Sequence, residues 1–197
     1  PEGILLFVDD CHGAAAFGLT GRGTEEVTGA DADVLIGTLG KGFGADGGYI
    51  AANQNVIDYL REAAATYIYS NSVAPGTAAA ALEAVTILTS EEGAAMLAHL
   101  RENIEYFKKE ITAAGFKLAA DSSHPIQPVL FGTAEKTKNM VRGMYDEGFL
   151  LSAINYPVVP KERDEIRVQL SAAQSKEDIH AFIDAFRKVA LGFGYIG

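Results

Sequence analysis

An α/β protein with a smaller α+β unit behind it is what this sequence predicts, on three observations. Short apolar runs at 4–8, 34–37 and 48–52 do not alternate with polar residues, and glycine-rich turns lie between and after them. Strands buried on both faces of a parallel sheet read this way. Helical spacing then takes over, with Val56, Ile57, Leu60 and Ala64 on one face of a helix over 55–65,. From residue 91 onward helices with long apolar stripes flank short strands, an α+β pattern. The expected division is therefore a sheet domain at about 1–90 and a compact second domain at about 91–197.

The elements follow in order. A helix over 74–88 opens with Pro75, whose missing N–H costs little in a first turn,. The clearest helix spans 91–114, where Leu97, Leu100, Ile104, Phe107 and Ile111 step by 3, 4, 3 and 4, with Gly115 as its stop,. A strand over 126–131, a helix over 134–147 closed by Gly148, and strands over 149–152 and 166–170 come next. Ser175 caps a last helix to 190, with Asp178 three residues on and a stripe of Ile179, Phe182, Ile183, Phe186 and Val189,.

Composition narrows the function. The 197 residues carry a net charge of -10 and are 48% hydrophobic, enough apolar content for a buried core. Acidity on this scale argues against nucleic acid and against anionic membrane surfaces, both of which need clustered Lys and Arg. No apolar run approaches the roughly 20 residues of a membrane span. A single cysteine, Cys11, excludes an internal disulfide and fits a reducing compartment,. The chain opens without Met, as a loop running straight into a strand, and reads as a fragment of a longer protein.

Three local patterns carry chemistry. Val8-Asp9-Asp10-Cys11-His12-Gly13 stands at the end of a strand, where α/β sheets place ligands and where a carboxylate can pair with a protonated ring nitrogen. The same residues fit a turn capped by Asp9 and Asp10. Thr38-Leu39-Gly40-Lys41-Gly42-Phe43-Gly44 also follows a strand. A lysine in a partly desolvated glycine-lined pocket supplies the neutral amine that Schiff-base chemistry needs, although an exposed turn lysine has the same local sequence. The spacing does not fit the nucleotide phosphate loop. Tyr69-Ser70-Asn71-Ser72-Val73-Ala74-Pro75 leads into a helix, so its hydroxyls suit an anion site or plain capping by Ser72,. No cluster has metal-ligand spacing. His99 and His180 read as surface residues on helices, and His124 as a local structural residue.

The order and spacing of these patterns, Asp-x-x-His, then Thr-x-x-Lys, then Ser-Asn-Ser, resemble the α-oxoamine synthases. These are fold-type I pyridoxal 5′-phosphate (PLP) enzymes that condense an amino acid with an acyl-CoA. The resemblance runs over essentially the whole chain and implies that it is the C-terminal half of such an enzyme. Its fold would be the later part of the large mixed or parallel-sheet domain followed by the small C-terminal domain. Gly21-Arg22-Gly23-Thr24, Tyr69-Ser70-Asn71-Ser72-Val73-Ala74-Pro75, and Tyr156-Pro157-Val158-Val159-Pro160 followed by Ile166-Arg167-Val168-Gln169-Leu170-Ser171-Ala172-Ala173 are most similar to the 2-amino-3-ketobutyrate CoA ligase (glycine C-acetyltransferase) branch. Gln174 departs from the His common in these enzymes.

Roles follow from the resemblance. Lys41 is expected to hold PLP as a Schiff base and to take the α-proton of glycine, giving a quinonoid carbanion that attacks acetyl-CoA. Asp9 is expected at the pyridine N–H, His12 at the phenolic oxygen, and Thr38 and Ser70 at the phosphate. Ser70 is expected to serve the neighbouring subunit of a cytoplasmic homodimer with a shared active site. Arg167 is expected to clamp the substrate carboxylate bidentately; a surface ion pair with Glu165 or Glu162 is the other reading of that arginine. The alternatives are another α-oxoamine synthase, of the 8-amino-7-oxononanoate synthase or serine palmitoyltransferase type, and a non-catalytic partner subunit of the same fold. The fragment alone is expected to have little or no activity.

Overall fold

The computed structural model describes residues 3–196 and divides the chain into two compact units, Pro1–Ala98 and His99–Gly197. The first is built on a three-stranded sheet of β1 (Phe7–Asp9), β2 (Val34–Thr38) and β3 (Gly48–Ala52), in that order. β1 runs parallel to β2, with Asp9 opposite Ile36, while β2 and β3 are antiparallel and pair Thr38 with Gly48. The sheet is thus mixed, and Asp9 and Thr38 end two adjacent parallel strands. A five-residue helix, α1 (Thr24–Thr28), lies between β1 and β2. Helices α2 (Gln54–Ala63), α3 (Ala65–Ile68), α4 (Pro75–Leu88) and the start of α5 (Glu91–Ala113) follow β3.

Two expectations are corrected in this unit. The first strand begins at Phe7 rather than at 4. Leu6 N–H donates to the Asp33 carboxylate (2.8 Å), and Leu6 O accepts from Asp33 and Val34 N–H, so the ladder starts one residue later. Ile4, Leu5, Leu6 and Phe7 are exposed, not buried. Ser72 does not cap α4. The residue before a proline is pushed out of the α region; Ala74 is accordingly extended (φ -63°, ψ 144°) and occupies the cap position without a side-chain bond.

The second unit has an antiparallel sheet in the order β4 (Ile126–Gly132), β6 (Asp164–Gln169), β5 (Ser152–Ile154). It is accompanied by α5 from His99 onward, α6 (Ala134–Asp146) and α7 (Lys176–Gly192). Alternation along β6 decides the faces: Asp164, Ile166 and Val168 are buried, and Glu165, Arg167 and Gln169 lie on the opposite side,. Phe107, Val129, Met140, Met144, Ile166 and Phe186 are fully buried and form the centre of this core. Buried Asp164 is satisfied by Asn155 Nδ2 (2.8 Å), which also donates to Thr137 Oγ1 (2.8 Å). The strand expected over 149–152 is displaced to Ser152–Ile154. β6 pairs with Ser152, Ala153 and Ile154, while Phe149 N–H is drawn back to Met144 O (2.8 Å).

Ser175 caps α7 in a reciprocal box. Its Oγ accepts from Asp178 N–H (3.1 Å), and Asp178 Oδ2 accepts from Ser175 N–H (2.8 Å). The backbone bond and then the hydroxyl bond from Ser175 hold the Asp178 carboxyl below its ordinary value. A depressed folded pKa gives stability that is present above the unfolded value of about 3.9 and lost as pH falls through the folded value. Ser175→Ala is expected to cost about 1 kcal/mol at pH 7. Asp178→Asn is expected to destabilise at pH 7 and to converge with the wild type toward pH 2–3. Urea unfolding at the two pH values checks both.

Candidate active site

The first site is assembled where β1 and β2 end. Beyond Asp9 the chain folds over the buried Asp10 carboxylate, which accepts from Thr24 N–H (2.7 Å) and Thr24 Oγ1–H (2.6 Å). Gly13 and Gly23 make this wrap possible, because a Cβ on either would collide with Asp10; Gly23 also has φ +87°,. Asp10 is therefore the turn-forming carboxylate of the pair. Asp9 instead leaves its carboxylate exposed, with Oδ1 accepting Cys11 N–H at 3.1 Å. The Cys11 thiol bond, its N–H, and then the Lys41 and His12 charges hold the Asp9 carboxyl below the ordinary carboxylate range. The Cys11 thiol is pushed up by the same bond and by burial.

Lys41 projects from the loop that joins β2 to β3. Its Nζ lies 3.3 Å from His12 Nδ1, so residues 29 apart in sequence meet. The loop is tied at its base: Thr38 Oγ1 donates to Gly47 O (3.1 Å) and accepts from Gly40 N–H (3.2 Å), and Leu39 N–H donates to Gly47 O (3.0 Å). Gly42 lets the loop lie on the preceding turn, since a Cβ there would meet Ala14 O at 2.8 Å and Ala15 Cβ at 2.9 Å. Lys41 is exposed in this chain. Of the two local readings this is the exposed turn lysine, with glycines on both sides that supply no side chains to cover the amine.

Amine, imidazole, carboxylate and hydroxyl thus share one end of the sheet, and they match the aldehyde, phenolic oxygen, ring N–H and phosphate of PLP as a donor set. Ser70 is not part of this cluster. It is exposed between α3 and α4, and among the described residues it makes no hydrogen bond to the Lys41 loop.

Arg167 lies in the second unit on the face of β6 away from the core. It lines a cavity of about 460 Å³ with Ser152, its β5 partner, and with Phe149, Leu151, Gln174 and Phe182. Its Nη2 donates to Gln169 Oε1 at 3.1 Å, and among the described residues no ion pair joins it to Glu165 or Glu162. Glu165 is instead pushed above its ordinary value by burial. Arg167 thus lines the cavity without a carboxylate partner among the described residues.

One residue escaped the sequence reading and another is placed differently from it. Asn103 is fully buried, with Nδ2 donating to Gln174 O (2.8 Å) and Ser171 O (3.1 Å). The signal was present: a polar residue between Leu100 and Ile104, on the apolar stripe of α5. His99 is half-buried, with Nε2 3.1 Å from Gln174 O, and so is not the plain surface residue expected. His124 has the local role expected of it, its Nδ1 accepting from Ile126 N–H (3.0 Å).

Residues 1–186 match the family described as aminotransferase class I and II, and the chain belongs to that family. It is 39% identical over 197 residues to the 8-amino-7-oxononanoate synthase of Petrotoga mobilis, covering 96% of this chain and 48% of that protein. It is also 39% identical over 196 residues to the 2-amino-3-ketobutyrate coenzyme A ligase of Salmonella typhimurium, covering 98% of this chain and 48% of that protein. The chain thus spans about half the length of these relatives. A solved serine palmitoyltransferase from S. paucimobilis with bound PLP–myriocin shares the fold, with a TM-score of 0.89 and 24% identity over 98% of this chain and 49% of that one. Fold-type I is therefore the architecture. No helix among the described residues is long and apolar enough to cross a membrane.

Proposed function

We propose that this chain contributes the cofactor-anchoring lysine and the carboxylate clamp of an α-oxoamine synthase, a PLP enzyme that joins an amino acid to the acyl group of a CoA thioester. The observation that carries the reading is the meeting of Lys41 Nζ with His12 Nδ1 at 3.3 Å, beside the ionised Asp9 at the end of the neighbouring strand.

PLP, when bound, supplies an aldehyde for covalent attachment and a ring that accepts the electrons left by deprotonation of the amino acid. Lys41 is the attachment point and, once displaced by substrate, the base that receives the α-proton at Nζ. Its four-carbon stem lets one amine do both while the loop base stays fixed. His12 takes the position beside that amine and the ring oxygen. Asp9 stays anionic and keeps a proton on the ring nitrogen by pairing with it. Thr38, its hydroxyl turning from Gly47 O, and Ser70 hold the phosphate, Ser70 that of the neighbouring subunit in a homodimer. Arg167 takes the substrate carboxylate, which its planar fork can bind bidentately.

Glycine and acetyl-CoA are the substrates this proposal favours, on the Tyr156–Pro160 and Ile166–Ala173 segments. Equal identity to 8-amino-7-oxononanoate synthase favours a second reading, in which a longer acyl-CoA and a different amino acid are used. A cytoplasmic location belongs to the same proposal and rests on the single cysteine. The test is spectroscopic. PLP is added to the full-length parent protein, the visible band is recorded, and borohydride is used to fix the cofactor for peptide mapping. Label on Lys41, with the band perturbed by amino acids, supports the proposal. A folded protein that takes up no PLP, or carries the label elsewhere, overturns it and favours a non-catalytic subunit.

A further inference from the structure

The cavity beside Arg167 is bounded on one side by the turn 171–174, and the polar groups there are not equivalent. Gln174 lines the cavity, and its Oε1 accepts Ser171 N–H at 2.9 Å. The oxygen end of that amide is thereby turned onto its own turn, which leaves the NH2 end as the side chain's remaining polar group. Asp178 also lines the cavity, but its carboxylate is already bonded to Ser175. Gln169 Oε1 is occupied by Arg167. The Arg167 guanidinium, the Gln174 and Gln169 amide NH2 groups and the Ser152 hydroxyl line the cavity as donors, and of these only Gln174 stands on the turn.

The turn itself is pinned from beneath. Asn103 Nδ2 holds the carbonyls of Gln174 and Ser171, and His99 Nε2 lies against the same Gln174 carbonyl. Asn103 is fully buried, so its amide is shielded from the water that would otherwise compete for it, and losing these bonds would leave that buried NH2 unpaired,. The position of Gln174 relative to the turn is thus set by the helix core, not by the loop's own preference.

We propose that Gln174 is a specificity-determining residue for the amino acid whose carboxylate Arg167 binds, and that Asn103 is the residue that positions it. The inference rests on the α-oxoamine synthase reading and names its amino-acid preference. An amide NH2 facing the substrate's α-substituent tolerates glycine, donates to the hydroxyl of serine, and is left buried and unpaired by the methyl group of alanine. A site built with a hydrogen-bond donor rejects the partner that cannot accept it.

The test uses the full-length parent protein loaded with PLP and follows the cofactor's visible band while glycine, L-serine or L-alanine is added. The readout is the apparent Kd for each amino acid, so acyl transfer is not needed. Gln174→Met, close in length, is expected to tighten alanine relative to glycine and serine by about 3–10-fold, the worth of one hydrogen bond. Asn103→Ala is expected to weaken all three together, to keep their ranking, and to leave the band of the amino-acid-free protein unchanged. A ranking within two-fold of wild type in folded Gln174→Met overturns the role of Gln174. Asn103→Ala that lowers thermal stability but not affinity overturns its positioning role. If no amino acid perturbs the band of the wild-type protein, the proposed function itself fails and the specificity role falls with it.

Discussion

Lys41→Ala in the full-length parent protein is expected to reduce turnover by more than about a thousand-fold. Under the proposed function the substitution removes an attachment point and a base at once, because that proposal assigns both to the same amine. Non-covalent contacts to PLP survive in Asp9, His12 and Thr38, so cofactor is expected to bind more weakly yet still to bind. Borohydride then no longer fixes it to the protein. Lys41→Arg separates charge from nucleophilicity: the guanidinium keeps the positive charge beside His12 but stays protonated and cannot attack an aldehyde. Equal losses in the two variants identify the amine's chemistry, not its charge, as the essential property. Turnover within ten-fold of wild type in folded Lys41→Ala would remove this lysine from the mechanism.

Phe186→Ala is expected to destabilise the second unit by about 3–5 kcal/mol. Phe186 is fully buried, with ring centroids 4.8 Å from Phe116, 5.3 Å from Phe182 and 5.8 Å from Phe131. Removing it takes out the ring that three others share, and β4 and α7 lose their common contact. A domain with ordinary stability of about 5–15 kcal/mol has little margin for such a loss. Phe186→Leu retains much of the volume and is expected to cost about 1–2 kcal/mol. Hydrogen exchange of the β4, β6 and α7 amides measures the difference. An effect below 1 kcal/mol for Phe186→Ala would mean that the aromatic cluster closes over the gap.

Where a single element decides its own conformation, the sequence revealed it. The stripe of α5 and the Ser175–Asp178 box of α7 are local signals, and both elements stand within a residue or two of their expected bounds. The 149–152 run is different. Phe149 and Leu151 are apolar because they wall a cavity, while strand pairing is chosen by β6 two residues further on. Helix α1 had no signal, being five residues between glycines. At the site, the family resemblance singled out Asp9, His12 and Lys41, and the fold brings His12 and Lys41 together. The anchoring of Gln174 by Asn103 could not be read, because it joins positions 71 apart through a backbone carbonyl that has no signature in the side-chain sequence.

The closed base of the loop around Lys41 bears on timing. Leu39, Thr38 and Gly47 lock its stem, Ala45 N–H donates to Leu39 O at 2.8 Å, and Gly44 N–H to Lys41 O at 3.0 Å. The lysine therefore hangs from an anchored backbone, and only its methylene stem has to swing when substrate takes its place. Rotamer changes of an exposed side chain take nanoseconds or less, whereas loop rearrangements are slower. Under the proposed function, exchange of lysine for substrate is then a step that solvent viscosity is expected scarcely to slow.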